Sequence, residues 1–276
     1  MGRVEGKVAL ISGVARGQGR SHAEALAREG ANIIGFDICH DDPDVEYPLA
    51  SEADLNETVR LVEAAGGKVV TKALDVRDHE EVKAFIQEGV DFFGRLDIVL
   101  ANAGIMAITG EQRLRRSAYI AGIDIMLNGV FDTVNYAIPH IRAGGRGGSI
   151  VITSSTAGLV GGLADGNPGV MGYIAAKHGV VGLMRAWANA LAPENIRVNT
   201  VHPTGVNSPM IANEAFGRFV QEFPEIAGNL QNPLPVENGL IDPIDVTNTI
   251  LHLVSDAARY VTGTTTVVDA GFTNKR

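Results

Sequence analysis

The sequence holds one cysteine, Cys39, in 276 residues. A lone thiol cannot close an intramolecular disulfide, and it excludes a metal site built from several cysteines. Such sparing use of cysteine fits a reducing compartment, so the expected location is cytoplasmic. Basic residues are outnumbered, with 23 Lys and Arg against 32 Asp and Glu, for a net charge of −9. That balance lacks the basic footprint of a nucleic-acid binder, and an anionic membrane would repel it. Long apolar runs are missing too. No stretch approaches the ~20 residues of a membrane-spanning helix. The opening MGRVEGKVALISG lacks a signal peptide's apolar run, and Gly6 breaks the myristoylation pattern. Seven histidines occur, at 22, 40, 79, 140, 178, 202 and 252, but none forms HExxH or another ligand spacing, so no metal is expected.

Glycine, by contrast, is plentiful, with 33 scattered through the chain. Scattered glycines mark turns and close backbone approaches rather than a low-complexity tract. Apolar runs of strand length alternate with helix-length segments. KVALIS (7–12), NIIGFD (32–37), KVVTKALD (68–75), LDIVLAN (96–102), SIVITSS (149–155), IRVNTV (196–201) and TTTVVD (264–269) read as strands. GRSHAEALAREG (19–30) and SEADLNETVRLVEAAG (51–66) read as helices. Continuous apolar strands between helices predict an α/β fold, a single doubly wound parallel sheet of about seven strands with helices on both faces. Residues 1–276 read as one domain with no linker. Two segments break the rhythm. Residues 39–50, CHDDPDVEYPLA, read as an acidic, proline-broken loop. Residues 203–243 are rich in proline and glycine yet carry Met210, Phe216, Phe219 and Phe223, which argues for a lid over a substrate.

GVARGQG follows the first strand directly, placing Gly13, Gly17 and Gly19 before a helix. Glycines keep such a turn tight and let backbone N–H groups meet a pyrophosphate at the helix N-terminus. Alone, the cluster is also compatible with a plain strand–helix turn. Asp37 ends the next strand, where a carboxylate accepts hydrogen bonds from ribose hydroxyls. The same carboxylate would repel a 2′-phosphate and so favours NAD over NADP, although Arg16 in the loop pulls the other way. GGRGG (144–148) precedes a strand instead of following one and reads as a turn.

Tyr173 and Lys177 lie four apart in YIAAK, on one face of a helix. A lysine ammonium beside a phenol favours the phenolate and lowers the tyrosine pKa, which suits an acid/base group. Taken alone the pair is an ordinary helix edge. Ser154 and Ser155, at the carboxyl end of a predicted parallel strand, change that, because ligands bind at such ends. NAG (102–104) ends another strand, where a small corner would admit a cofactor.

Gly13-x-x-x-Gly17-x-Gly19, Asp75-Val76, Asn102-Ala103-Gly104, Asn128, Ser155 and Tyr173-x-x-x-Lys177 together resemble the classical short-chain dehydrogenase/reductase pattern, with its Rossmann-type fold. The resemblance runs to YVTGTTTVVDAG (260–271). It implies Tyr173 as acid/base, Ser155 as the group that polarises the substrate oxygen, and Lys177 as the holder of the nicotinamide ribose. Asn128 would support a water-linked proton relay to Lys177. Cofactor contacts would come from Gly13, Arg16, Gly17, Gln18 and Gly19, from Asp37 and Ile38, and from Asp75 and Val76 at the adenine. Asn102, Ala103, Gly104, Tyr173, Lys177, Pro203, Val206 and Ser208 would complete the set. Ser154 is expected to cap the strand end. GVARGQGRSHA, FDICHDDPDVEYPLA, SSTAGL, AAKHGVVGLMR and VHPTGVNSPMI resemble the carveol-dehydrogenase-like, mycofactocin-coupled subfamily. That implies a small apolar secondary alcohol or ketone as substrate, NAD held so tightly that it does not exchange, an external electron acceptor and a homotetramer. Gln18, Thr204 and the run NSP (207–209) depart from the common family pattern. So does the eighteen-residue interval from Ser155 to Tyr173, which implies an enlarged substrate loop over 159–172. A dinucleotide-binding regulatory protein without catalysis stays open as the reading from another class.

Overall fold

β1 (Val8–Ser12) is apolar and buried along its whole length, as a strand covered on both faces must be. It is an inner strand of a sheet seen in a computed structural model that describes residues 2–161, 166–225 and 231–275. The other strands are β2 (Asn32–Asp37), β3 (Val69–Ala73), β4 (Ile98–Ala101), β5 (Gly148–Thr153), β6 (Ile196–Pro203) and β7 (Thr265–Val268). All pair in parallel, in the order β3-β2-β1-β4-β5-β6-β7. This is the expected seven-stranded α/β sheet. The order reverses between β1 and β4, and that reversal opens a crevice beyond Ser12 and Ala101.

One face is covered by α1 (Gly17–Arg28), α2 (Glu52–Ala64) and α8 (Pro243–Val254). Their apolar stripes pack on Ala9, Ile11, Ile33, Ile98 and Leu100. The opposite face carries α3 (His79–Phe93), α5 (Gly129–Gly144) and α6 (Pro168–Leu191), packed on Leu10, Ile34, Val99 and Ile150. The helix starts are read by side chains. Ser51 and Asp54 form a reciprocal capping box on α2, and Asn167 Oδ1 accepts the Val170 N–H with Pro168 at the first turn of α6. α4 (Arg116–Ile123) runs through a π-helical turn, Asp124–Asn128, into α5. α7 (Glu214–Glu222), capped by Asn213, stands apart from the sheet.

Most boundaries shift by a residue or two from the sequence expectation, and two of the shifts bear on the site. α1 begins at Gly17, so the glycine loop itself enters the helix. β6 runs on to Pro203 because β7 pairs with its end, His202 against Val267 and Pro203 against Val268. A proline is tolerated there as the last residue of the ladder. Parts of two expected features, residues 162–165 of the enlarged loop and 226–230 of the lid segment, lie outside the described residues.

Residues 39–50 form no regular element, yet Val45, Tyr47 and Ala50 are buried. A buried irregular backbone needs polar partners, and they are present. Arg77 grips the buried Asp42 carboxylate at 2.8 Å, Ser117 donates to Asp44 at 2.6 Å, and Tyr47 Oη accepts the Met106 N–H at 3.1 Å.

His22 joins α1 to α8 through a 2.7 Å bond between Nδ1 and Thr247 Oγ1. Complete burial pushes its imidazole down to about 3 from 6.5. The unfolded chain therefore binds a proton that the fold refuses, and His22 costs stability as pH falls from about 6.5 toward 3. The cost approaches about 1.4 kcal/mol per pH unit. Urea unfolding at pH 7.5 and 5.5 should show His22→Gln losing less stability on acidification than the wild type; equal losses would remove His22 from the acid response.

Candidate active site

The glycine turn comes as close to β4 as atoms allow. Gly13 has φ +69°, and a Cβ there would lie 2.8 Å from Ala103 Cα. A Cβ on Gly19 would meet the Gly13 carbonyl oxygen at 1.9 Å. Only glycine fits either place, so a concave strip of backbone N–H groups faces the crevice at the start of α1. Gly13, Arg16, Gly17 and Gln18 line this cleft on one side. Asp37, Ile38, Asp75 and Val76 line its far end, and Asn102, Ala103, Gly104 and Ser208 the near end. Gly19 sits behind the turn as a packing residue, and Val206 is buried in a bridge to Ile241, close to the end of β6 at Pro203. The glycine cradle, a carboxylate at the end of β2, and a buried Gln18 Oε1 with no partner among the described residues fit a dinucleotide.

Asp37 is pushed up from the ordinary carboxylate value by burial, against which the Ala15 and Ile38 N–H groups donate at 2.8 and 2.9 Å. The second charge in the loop is already engaged, since Arg16 Nη2 donates to the Pro48 carbonyl at 2.7 Å. Cys39 is displaced toward the apolar core behind the cleft. Burial and then the Asp37 charge push its thiol up to about 12, which makes it a packing group.

Ser155, after the end of β5, and Tyr173, in the second turn of α6, come together, close enough for the serine side chain to act on the phenol. Both line a second cavity of about 510 Å³. Its walls include Met106, Ile108, Ile211, Phe216, Val220 and Phe272, and among the described residues Tyr173 is the one ionisable side chain that lines it. Val160 brings the start of the enlarged loop into this wall. Burial raises the Tyr173 phenol above its ordinary value, and the Ser155 side chain beside it opposes the rise. This corrects the expectation that Lys177 lowers it. The ammonium stands 5.8 Å from the Tyr173 ring centroid and donates to the Thr153 carbonyl at 2.8 Å. Burial in turn lowers Lys177 from 10.5 to about 8.

Ser154 turns away from the cavity and donates to the Lys177 carbonyl at 2.8 Å, tying β5 to α6. Asn128 is not brought to the cluster. It is exposed, and its Nδ2 donates to Asp124 Oδ1 at 2.9 Å along the helix surface. Met126 takes the inward position instead. Its Sδ and the Lys177 Nζ lie 3.4 and 3.8 Å from the point where a Gly104 Cβ would be. Sequence reasoning missed three further residues. Tyr47 and Leu49 line the cleft from the 39–50 loop, and their apolar character inside an acidic run was the available signal. His202 is buried and holds the Ser155 carbonyl at 2.8 Å through Nδ1, a contact with no sequence signature.

A family model described as enoyl-(acyl carrier protein) reductase matches residues 13–273. The chain is 48% identical over 284 residues to (−)-trans-carveol dehydrogenase of Rhodococcus erythropolis, covering 100% of both. Its structure resembles that of carveol dehydrogenase from Mycobacterium avium in complex with NAD, with a TM-score of 0.91, 46% identity and 100% coverage of both chains. A short chain dehydrogenase from Mycobacterium paratuberculosis bound to NAD gives 0.90 and 41%, covering 99% of this chain and 100% of that one.

Lys177 is held at a cost. Between pH 10.5 and about 8 the unfolded chain binds the lysine proton more readily than the fold, so stability falls as pH drops through that window. Lys177→Met should remove this pH dependence. Relief of the buried charge, less the lost bond to Thr153, should raise stability near pH 7 by about 2 kcal/mol. Urea unfolding of both proteins at pH 7 and 9.5 measures it, and a less stable variant at pH 7 would contradict the argument.

Proposed function

The chain belongs to the short-chain dehydrogenase/reductase family, and from that premise we propose that it interconverts a small apolar secondary alcohol, of the carveol type, and its ketone with NAD. The observation that carries this reading is Ser155 and Tyr173 side by side on the wall of a largely apolar cavity, with no charged side chain among its described lining, beside the glycine cradle. A carboxylate or phosphate would enter that cavity without a counter-ion, at a prohibitive desolvation cost. A neutral ring or chain buries apolar surface there and leaves its oxygen for Ser155 and Tyr173.

The backbone around Gly13, Gly17 and Gly19 would hold the pyrophosphate, and Asp37 with Ile38 the adenosine ribose. Asp75 and Val76 would flank the adenine. Asn102, Ala103 and Gly104 bring bare backbone to the middle of the cofactor, while Pro203, Val206 and Ser208 flank the nicotinamide end. NAD bound there supplies the hydride acceptor or donor. Tyr173 Oη takes the alcohol proton during oxidation and returns it during reduction. Ser155 Oγ fixes the substrate oxygen against that phenol. The Lys177 ammonium, on the same helix face, would hold the nicotinamide ribose. With Asn128 pointing to solvent, the relay assigned to its side chain is not part of this mechanism. Asp37 disfavours a 2′-phosphate, and Arg16, occupied by Pro48, leaves that preference for NAD intact.

Residues 203–243 act as a lid through Phe216 and Val220 of α7. Tyr47 and Leu49 roof the nucleotide cleft, which supports tight NAD retention and reoxidation by an external acceptor of the mycofactocin type. A homotetramer in the cytoplasm completes the reading. Its support is the exposed Phe131, stacked on Trp187 at 5.9 Å, the exposed Tyr260, and a single cysteine in the chain. No helix among the described residues is long and apolar enough to cross a membrane. With Ser155, Tyr173 and Lys177 clustered, the non-catalytic alternative has no observation in its favour.

Denaturing one portion of the purified protein should release NAD, and the native protein should reduce an artificial electron acceptor at the expense of cyclic secondary alcohols. Efficient turnover with freely added NAD alone would refute tight retention but not the dehydrogenase. Tyr173→Phe should lower kcat by at least about 100-fold while bound NAD is kept. Hydride transfer at the wild-type rate would remove Tyr173 as the acid/base.

A further inference from the structure

Glu46 and Arg218 are 172 residues apart in sequence and meet at 2.9 Å. Glu46 belongs to the 39–50 segment. Its neighbour Tyr47 is buried, lines the nucleotide cleft, and accepts the Met106 N–H. Met106 lines the other cavity. Arg218 belongs to α7, whose Phe216 and Val220 line that same cavity from the other side. The segment thus lines the nucleotide cleft and bonds to a residue of the second, and one ion pair joins it to the helix over that second cavity. The nucleotide-side end of the segment is pinned separately, by Arg77 on Asp42 and by Arg16 on the Pro48 carbonyl.

We propose that the Glu46–Arg218 ion pair is a latch that couples the two clefts, so that the roof over the nucleotide opens only as α7 moves away from the substrate cavity. The latch rests on the proposed NAD site. Arg218 is 60% exposed, so the pair is partly screened and its effect is modest, a few-fold in an opening rate. Coupling of this kind is reciprocal. A nucleotide that holds the segment down must also steady α7. Arg218 has a second partner, Glu214, one helical turn away at 3.8 Å. That contact lies within α7 and does not reach the roof, which makes it the internal control.

The test loads the full-length protein with radiolabelled NAD and chases it with unlabelled NAD at low ionic strength. Amide hydrogen exchange in α7 is followed with and without the nucleotide. Glu46→Lys and Arg218→Glu should each speed NAD release about three- to fivefold. The double reversal should return release to within about twofold of the wild type, and Glu214→Gln should leave it unchanged. NAD should protect α7 amides in the wild type and the double variant but not in either single variant. Unchanged release in both single variants, or a double variant as fast as the singles, overturns the latch. Equal protection of α7 in all variants does so as well. A wild-type protein that binds no NAD refutes the proposed function and the latch with it. A wild type that retains NAD beside an unaffected Arg218→Glu refutes the latch alone.

Discussion

One amide side chain ties three strand ends together, and the site is built around it. Asn102 Nδ2 donates to the carbonyls of Ser12 and Gly13, at 3.2 and 3.1 Å. Its own N–H and that of Ala103 are both taken by Ser12 Oγ. Asn102 Oδ1 then accepts from Thr153 Oγ1, and the Thr153 carbonyl receives the Lys177 ammonium. The ends of β1, β4 and β5 are thereby held at one level, and α6 is docked on them. Strand ends would otherwise leave unpaired backbone groups facing a crevice. The clasp satisfies them and leaves the glycine turn free to face a ligand.

Burial then sets the chemistry. Tyr173 and Lys177 are both shifted toward their neutral forms, the phenol upward and the ammonium downward. Those shifts part the two pKa values, so the phenol holds its proton while the lysine, at about 8, gives one up more readily than a free side chain. Met126, rather than an amide, faces this corner, and a thioether is only a weak acceptor. The low polarity that produces the shifts is therefore built into the π-helical turn before α5 as well as into α6.

The acidic segment 39–50 illustrates how a chain of unfavourable composition becomes a structural part. Four carboxylates in a short loop repel one another when free. Here Arg77 neutralises Asp42, Arg218 meets Glu46, and Ser117 binds Asp44. The partners come from three distant parts of the sequence, so the loop gains order only once the sheet, α4 and α7 are in place. Its apolar residues, Val45, Tyr47 and Leu49, then have a core to pack against.

Much of this was legible in the sequence because it depends on local pattern. Apolar strands alternating with helices dictate a doubly wound sheet, GVARGQG can only be a tight turn entering a helix, and YIAAK places Tyr173 and Lys177 on one helix face. The carboxyl end of β5 likewise located Ser155. Tertiary structure decided what spacing alone does not encode. Asn128 and Met126 differ by two residues, which is about 200° around a helix, and the π-helical turn at Asp124–Asn128 sets the phase. The outward face went to Asn128 and the inward one to Met126. Which serine of the pair serves the cavity, where Arg16 spends its charge, and what the 39–50 segment grips were settled the same way. Each depends on groups far away in sequence, brought within hydrogen-bonding distance only when the two faces of the sheet are covered.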